Sequence, residues 1–148
     1  MDCLYIVIPA YNEEENISRV IEDWYPIVAK HDSMGKSRLT IINDGSKDKT
    51  GEIARASMAG RPLLEVIDKQ NGGHGETVLF GYRHAIEAGA DYIFQTDSDG
   101  QTDPGQFEEF WEQRGEYSAL FGNRADRQDG AFRVFTAGVL RTVIRAIF

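Results

Sequence analysis

The alternation of short apolar runs with amphipathic segments over residues 4–114 is the strongest constraint on the fold. The apolar runs are short and rich in β-branched residues, as in strands that are covered on both faces. Strands separated by helices build βαβ units with right-handed crossovers, and such units give a parallel sheet. We predict four strands, at Leu4–Pro9, Leu39–Asn43, Leu63–Ile67 and Tyr92–Thr96.

The segments between and after these runs place apolar residues three and four positions apart, which predicts helices with one buried face. With helices on both faces, the class is α/β, and the sheet is Rossmann-like, doubly wound and mostly parallel. A fifth strand is predicted at Ala119–Phe121. The predicted inward-facing residues are, helix by helix, Ile17, Val20, Ile21, Trp24, Ile27 and Val28; Ile53, Ala54 and Met58; Val78, Leu79, Tyr82, Ala85 and Ile86; and Phe107, Phe110 and Trp111.

Bulk properties limit the compartment and the partners. A length of 148 residues predicts one domain over residues 1–148, and helical apolar spacing that runs to Phe148 without a stop signal predicts truncation at the C-terminus. A net charge of -8 argues against a nucleic-acid partner. Cys3 is the only cysteine, so no intrachain disulfide can form and a reducing cytoplasmic compartment is favoured. No signal peptide or membrane-spanning run is evident.

Two carboxylates follow the fourth predicted strand, at Asp97 and Asp99. Ligands of open α/β sheets bind outside the carboxyl ends of the strands, so these side chains lie at the expected place. Carboxylate oxygens suit Mg²⁺ or Mn²⁺, with diphosphate oxygens and water completing the octahedron. The alternative is a solvated turn with Asp103 as a helix cap. The run does not fit a calcium EF-hand.

The loop after the first strand lacks the G-x-G-x-x-G of a dinucleotide site. Instead, Pro9 stiffens the turn and Tyr11 offers a flat ring for a nucleobase. Glu13 can accept hydrogen bonds from ribose hydroxyls. The alternative for the acidic run Glu13–Glu15 is that it favours a helix N-terminus.

The loops after the second and third strands add polar groups. Asp44 can accept a base N–H, although an Asx turn would also explain it. Lys69 can reach a base or phosphates, or remain a solvated surface lysine. The glycines of residues 72–75 permit close approach by an anion, but the G-K-[ST] ending of a P-loop is missing. His74, within this run, is interpreted as a turn residue.

Taken together, these motifs resemble those of family 2 glycosyltransferases, in particular the dolichol-phosphate mannosyltransferase-like branch. The likeness covers residues 4–124 and implies a GT-A fold, a nucleotide diphosphate-sugar donor such as a UDP- or GDP-sugar, and transfer with inversion. It also implies Mg²⁺ or Mn²⁺ as the cofactor. The motifs are Ile6–Glu14, Asn43–Thr50, Asn71–Gly75 and Asp97–Pro104.

The resemblance carries over to particular residues. It implies that Asp97 and Asp99 hold the metal, and that the acceptor is a polyprenyl phosphate or a cell-envelope polysaccharide or glycolipid. Such enzymes are often membrane-associated, which implies work at the cytoplasmic face of a membrane. The donor-binding residues that it implies are Pro9, Ala10, Tyr11, Glu13, Asp44, Lys69, Gly75, Asp97 and Ser98.

The acceptor side is less defined. Asp126 and Asp129 are weak candidates for a catalytic base, and loop arginines at 124, 127 and 133 suit phosphate. The apolar stripe of residues 139–147 is interpreted either as a helix on a membrane surface or as packing against missing sequence.

Two alternatives to a transferase stay open at this point. One is a donor-binding module that transfers nothing. The other is a haloacid dehalogenase-type phosphatase with Asp97 as its nucleophile, and the lack of any lysine beyond Asp99 argues against it.

Overall fold

The structure is a computed structural model that describes residues 2–122. Within that range it has one sheet of four parallel strands, in the order β3-β2-β1-β4. The predicted α/β class is confirmed. The strands are β1 (Leu4–Ala10), β2 (Arg38–Asp44), β3 (Leu64–Lys69) and β4 (Tyr92–Gln95).

Helices follow all four strands, close to the predicted positions. The last one is preceded by a 3₁₀ turn at Pro104–Gln106, in which the Asp103 carboxylate accepts a 2.8 Å hydrogen bond from the Gly105 amide. Asp103 is therefore a cap, as the alternative interpretation of this segment predicted. The helices are α1 (Ile17–His31), α2 (Thr50–Ala56), α3 (His74–Glu87) and α4 (Phe107–Gln113).

The main core lies between α1 and one face of the sheet. Alternate residues of β1, namely Leu4, Ile6 and Ile8, are fully buried there. They belong to the cluster that includes the buried face of α1, and Phe107 of α4 completes it through ring contacts with Phe94. Full burial of each such side chain contributes about 1.5–3 kcal/mol, so this face anchors the strands whose ends carry the loops.

The other face of the sheet is covered by α3, and here the predicted helix face is wrong in part: Ala85 is buried as predicted, but Leu79 and Ile86 are not. Leu79 and Ile86 are 46% and 65% exposed, whereas Thr77, Gly81 and Ala85 are buried. Small residues face the sheet because α3 lies very close to it. Apolar periodicity favoured the larger residues and so misplaced the buried stripe.

Gly81 marks the closest approach of α3 to the sheet. A Cβ atom added there would collide with Val7 Cγ1 and lie 2.6 Å from Ile42 Cδ1. Close packing of this helix therefore depends on the absence of a side chain at position 81.

Two further predictions fail within the described residues. Met58 lies beyond the end of α2 and is 41% exposed, because that helix ends at Ala56. Ala119–Phe121 forms no strand.

Contacts divide the chain into a unit of residues 1–116 and a unit of residues 117–148. The prediction of one domain over residues 1–148 stays a prediction, and the predicted terminal helix lies outside the described residues.

The tight approach of α3 leads to a stability prediction. Gly81→Ala should lower the free energy of unfolding by about 1–3 kcal/mol, because the new methyl group overpacks the contact with β1 and β2. Gly75→Ala is the matched control on the same helix, since a Cβ at position 75 meets no atom within 4 Å. Urea unfolding followed by circular dichroism measures both. Equal stabilities for the two variants would contradict the close-packing argument.

Candidate functional site

The loop after β1 is bound to the loop after β2 by a set of hydrogen bonds that we call the loop clasp, made by residues 12–14 and 46–50. The Asn12 amide donates to Ser46 Oγ at 3.0 Å, and the Lys47 amide donates back to Asn12 Oδ1 at 2.9 Å. The Glu13 amide donates to Thr50 Oγ1 at 2.7 Å. Asn12 has a φ of 55°, a conformation that asparagine tolerates better than most residues. The clasp therefore sets the position of one loop relative to the other.

The acidic run Glu13–Glu15 takes part in this arrangement. The Glu14 carboxylate accepts a 3.0 Å hydrogen bond from the Lys49 amide, and the Glu14 amide donates to Asp48 at 3.2 Å. Glu13 accepts from Asn16 Nδ2 at 2.9 Å, just before α1 begins. Tyr11 precedes the clasp and stays 44% exposed. The clasp thus leaves the ring of Tyr11 accessible while holding its backbone neighbours.

Asp44, the last residue of β2, is a buried carboxylate that accepts three hydrogen bonds at the sheet edge. Its Oδ1 accepts from Lys69 Nζ at 2.7 Å and from the Gly72 amide at 3.0 Å. Its Oδ2 accepts from the Gly73 amide at 3.0 Å. The Asp44 and Lys69 side chains are only 4% and 11% exposed. This buried pair therefore ties the loop after β3 to the end of β2.

The same loop is held a second way through the backbone of Asp44. Asn71 Nδ2 donates to the Asp44 carbonyl at 2.9 Å. Gly45 has a φ of 65°, and a Cβ added there would lie 2.8 Å from the Asn71 amide nitrogen. Glycine is required at this position for both reasons.

Opposing effects act on the pKa of Asp44. Burial raises the pKa, but the hydrogen bonds from the Lys69 ammonium and from the loop amides lower it by more. The pKa of Asp44 therefore lies below its ordinary value of 3.8, and the carboxyl is ionised in the folded protein at neutral pH.

The turn after β4 carries the acidic pair. Asp97 Oδ1 accepts from Gln95 Nε2 at 3.2 Å, and Asp99 Oδ1 accepts from the Gln101 amide at 2.9 Å. Ser98 between them is 6% exposed. Arg19 of α1 donates to the Gly100 carbonyl at 3.4 Å, which joins the turn to the rest of the fold.

These loops enclose a cleft of about 280 Å³ at the carboxyl ends of the strands. Eight of its lining residues were predicted from the sequence as site residues, and two more, His74 and Thr77, were not. Lys69 and Gly75 do not belong to the lining: Lys69 lies behind Asp44, held by it. The lining residues are Pro9, Ala10, Tyr11, Glu13, Asp44, His74, Thr77, Asp97, Ser98 and Asp99.

His74 and Thr77 were missed as site residues. His74 was interpreted as a turn residue, yet its ring lines the cleft with Nε2 3.8 Å from Asp97 Oδ1. Thr77 is buried, and its Oγ1 lies 3.4 Å from Lys69 Nζ. The available signal was their spacing: residues 74 and 77 share one face of the first turn of a helix that begins at the sheet edge.

The donor set of the cleft suits a hard cation. Within residues 2–122, no group of three or more His, Cys, Asp and Glu side chains could hold a metal ion by itself. Asp97 and Asp99 supply carboxylate oxygens at the cleft, so an Mg²⁺ or Mn²⁺ ion there needs further oxygens from a ligand and from water. The residues fit such an ion only together with an oxygen-rich ligand.

The candidate acceptor-side residues Asp126 and Asp129, and the arginines at 124, 127 and 133, lie outside the described residues. Within residues 2–122, no helix is long and apolar enough to cross a membrane.

A parallel α/β sheet with an acidic pair and a polar cleft at the carboxyl ends of its strands is the arrangement of GT-A-type sugar transferases. The sequence profile of Glycosyl transferase family 2 matches residues 5–140, and the chain belongs to this family. The family predicted from the four motifs is thereby confirmed.

Named relatives agree with the predicted branch. The undecaprenyl-phosphate 4-deoxy-4-formamido-L-arabinose transferase of Edwardsiella ictaluri is 31% identical over 132 residues, covering 86% of this chain and 39% of the relative. The transferase of the same name from Pectobacterium atrosepticum is 28% identical over 144 residues, which cover 95% of this chain and 42% of the relative. The chain therefore spans only about two fifths of these relatives.

Solved structures confirm the predicted GT-A fold. S. aureus TarS 1-349 in complex with UDP-GlcNAc has a TM-score of 0.60 at 16% identity, covering 86% of this chain and 38% of that one. The glucosyl-3-phosphoglycerate synthase of Mycobacterium tuberculosis with Mn²⁺, UDP and glucosyl-3-phosphoglycerate has a TM-score of 0.58 at 24% identity, and the match covers 76% of this chain and 39% of that one. Mannosyltransferase PcManGT from Pyrobaculum calidifontis with GDP-Man and Mn²⁺ has a TM-score of 0.54 at 20% identity, and the match covers 66% of this chain and 28% of that one.

The lowered pKa of Asp44 leads to a prediction about acid stability. Its folded pKa lies below the unfolded value of 3.8, so the ionised carboxylate stabilises the fold above that value, and the contribution is lost as pH falls through the folded pKa. The stability difference between wild type and Asp44→Asn should therefore be largest near neutral pH and shrink below pH 3.8.

Urea unfolding over a series of pH values measures this difference. Asp23→Asn, which changes an exposed carboxyl on α1, is the control. A wild-type advantage over Asp44→Asn that stays constant or grows on acidification would show that the carboxylate is not stabilised in the way described.

Proposed function

We propose that this chain forms the donor-binding part of an inverting glycosyltransferase that takes a sugar from a UDP- or GDP-sugar. The observation that carries the proposal is the cleft, which brings an exposed aromatic ring, hydrogen-bond acceptors and an acidic pair together at one sheet edge. These are the groups that a nucleoside, a ribose and a metal-bound diphosphate each need.

The nucleoside end of the donor fits between Tyr11, Glu13 and Asp44. The exposed ring of Tyr11 gives a base a flat apolar surface, and Glu13 can accept from ribose hydroxyls. Asp44 already accepts from Lys69 and from two loop amides. A base N–H at Asp44 therefore shares this carboxylate with the loop, so Asp44 acts both as an acceptor and as the group that holds the loop in place.

The diphosphate end fits at Asp97 and Asp99, with Mg²⁺ or Mn²⁺ as the shared cation. Departure of the nucleotide leaves negative charge on its diphosphate, and a bound divalent ion neutralises that charge. The cleft side chains Glu13, Asp97 and Asp99 are acidic, so a bare diphosphate would be repelled from them. The manganese complexes among the related structures support a divalent cofactor.

A polyprenyl phosphate is the acceptor that we propose, on the strength of the undecaprenyl-phosphate transferases among the relatives. A phosphate acceptor is substantially ionised at neutral pH, with a second pKa of about 6, so its oxygen can attack without a protein base. Asp126 and Asp129 then become necessary only for a hydroxyl acceptor such as a polysaccharide. Because such an acceptor is held in a membrane, we also propose that the enzyme works at its cytoplasmic face, in cell-envelope synthesis.

A donor-binding module without transfer is the second candidate. The observation in its favour is length, because the chain spans only about two fifths of the relatives. Family membership, in contrast, leaves no support for the phosphatase alternative.

The metal site gives the sharpest test of the proposal. Calorimetric titration of the chain with UDP and with GDP should show binding of one of them that is much tighter with Mn²⁺ present. Asp99→Ala should remove the metal-dependent part of the affinity, because one of the two protein ligands is lost, while Asp23→Ala, an exposed acid on α1, should bind as wild type does. Metal-dependent binding that survives in Asp99→Ala would exclude this site.

A second titration concerns the nucleoside end. Asp44→Ala should weaken nucleotide binding even without metal, by about tenfold, because it frees both a base acceptor and the loop after β3. Equal affinities in wild type and variant would remove Asp44 from the site. Sugar release from the donor in the presence of undecaprenyl phosphate then distinguishes an enzyme from a module, since a module binds the donor without turnover.

A further inference from the structure

His74 is a cleft residue to which neither the sequence motifs nor the comparisons give a role. It is the first residue of α3, and its side chain is 67% exposed. Its Nε2 lies 3.8 Å from Asp97 Oδ1, which is too long for a hydrogen bond, so the ring lies beside this carboxylate in the cleft.

The turn before α3 does not require a histidine. The left-handed conformation that the turn needs is taken by Gly73, with a φ of 87°. The helix start is held by Asp44, which accepts from the amides of Gly72 and Gly73. The His74 ring contributes to neither of these contacts, so its presence in the cleft calls for another explanation.

An anionic ligand in this acidic cleft needs hydrogen-bond donors as well as a cation. Among the lining residues that the structure describes, His74 is the one with a side-chain nitrogen, and four others are carboxylates. Lys69, the nearby ammonium, is 11% exposed and donates to Asp44 at 2.7 Å, so it is occupied inside the fold. The ring of His74 is therefore the side-chain nitrogen that the described lining offers to a ligand.

The position of the His74 ring beside Asp97 indicates which part of the donor it contacts. Oxygens that share one hard cation lie close together, because each is about 2.1 Å from the ion. A diphosphate oxygen that shared a cation with Asp97 would lie close to the Asp97 carboxylate, on the side of the cleft where His74 Nε2 lies 3.8 Å from Asp97 Oδ1. A nucleobase that stacks on Tyr11 and bonds to Asp44 does not require this donor.

We propose that His74 Nε2 donates a hydrogen bond to the outer phosphate of the donor diphosphate, and so selects nucleoside diphosphates over monophosphates. This inference rests on the proposed function and adds a specificity residue to the same cleft. His74 holds the departing diphosphate from the α3 side while the acidic pair holds its cation from the β4 side.

The test compares matched nucleotides on the full chain. Calorimetry with Mn²⁺ should show that His74→Ala binds UDP about tenfold or more weakly than wild type, whereas UMP affinity changes by less than about twofold. GDP and GMP replace this pair if guanine is the preferred base. His74→Gln keeps a side-chain N–H donor and should recover part of the UDP affinity.

The control is His84→Ala. His84 lies on the same helix but contacts Glu65 at 2.9 Å, outside the cleft lining, so its loss should leave both affinities unchanged. Thermal melting of each variant confirms that the fold is retained, as expected for a side chain as exposed as that of His74.

The outcomes separate the inference from the proposed function. Unchanged UDP binding in His74→Ala, with the Asp99→Ala effect intact, overturns the role of His74 alone. An equal loss of UDP and UMP affinity also overturns it, because the variant then acts through the loop or through Asp97. If wild type binds neither UDP nor GDP in a metal-dependent way, both the proposed function and the inference fail.

Discussion

The cleft depends on one buried ion pair, that of Asp44 with Lys69. Asp44 ends β2 and Lys69 ends β3, so their contact joins two neighbouring strands at the edge where ligands bind. The carboxylate uses its remaining acceptor capacity on the amides of Gly72 and Gly73, which directly precede α3. Burying such a charge is costly unless it is paired and hydrogen-bonded, and here it is both. The carboxylate is satisfied only with the loop and the strand ends in this arrangement.

The loop clasp joins the loop after β1 to the loop after β2, just as Asp44 joins the loop after β3 to the end of β2. Backbone amides of one loop bond to side chains of the other, with Asn12 and Glu14 each serving as donor through the amide and acceptor through the side chain. Such reciprocal bonds hold the backbone of residues 12–14, next to Tyr11, and leave the ring of Tyr11 exposed. The cleft is thus organised before a ligand arrives, which lowers the entropic cost of binding.

Much of the architecture could be predicted from the sequence because its signals are local. Strand runs and the α1 face were correct, since a helix with large apolar residues on one side has only one way to bury them. The α3 face was misjudged because Gly81 packs by being small, a property that hydrophobic periodicity does not register. The strand predicted at Ala119–Phe121 failed because a short apolar run specifies a strand only if a neighbouring strand pairs with it.

The sequence by itself determined the family, the parallel sheet and the set of loops that carry chemistry, because each depends on residue types and spacing along the chain. Only the tertiary structure decided which of those residues meet. It placed Lys69 behind Asp44 and out of the lining, and it brought His74 to the side of Asp97, 23 positions later in the chain. These two contacts depend on the register of the strands and on how closely α3 approaches the sheet, and no local sequence pattern encodes either of these.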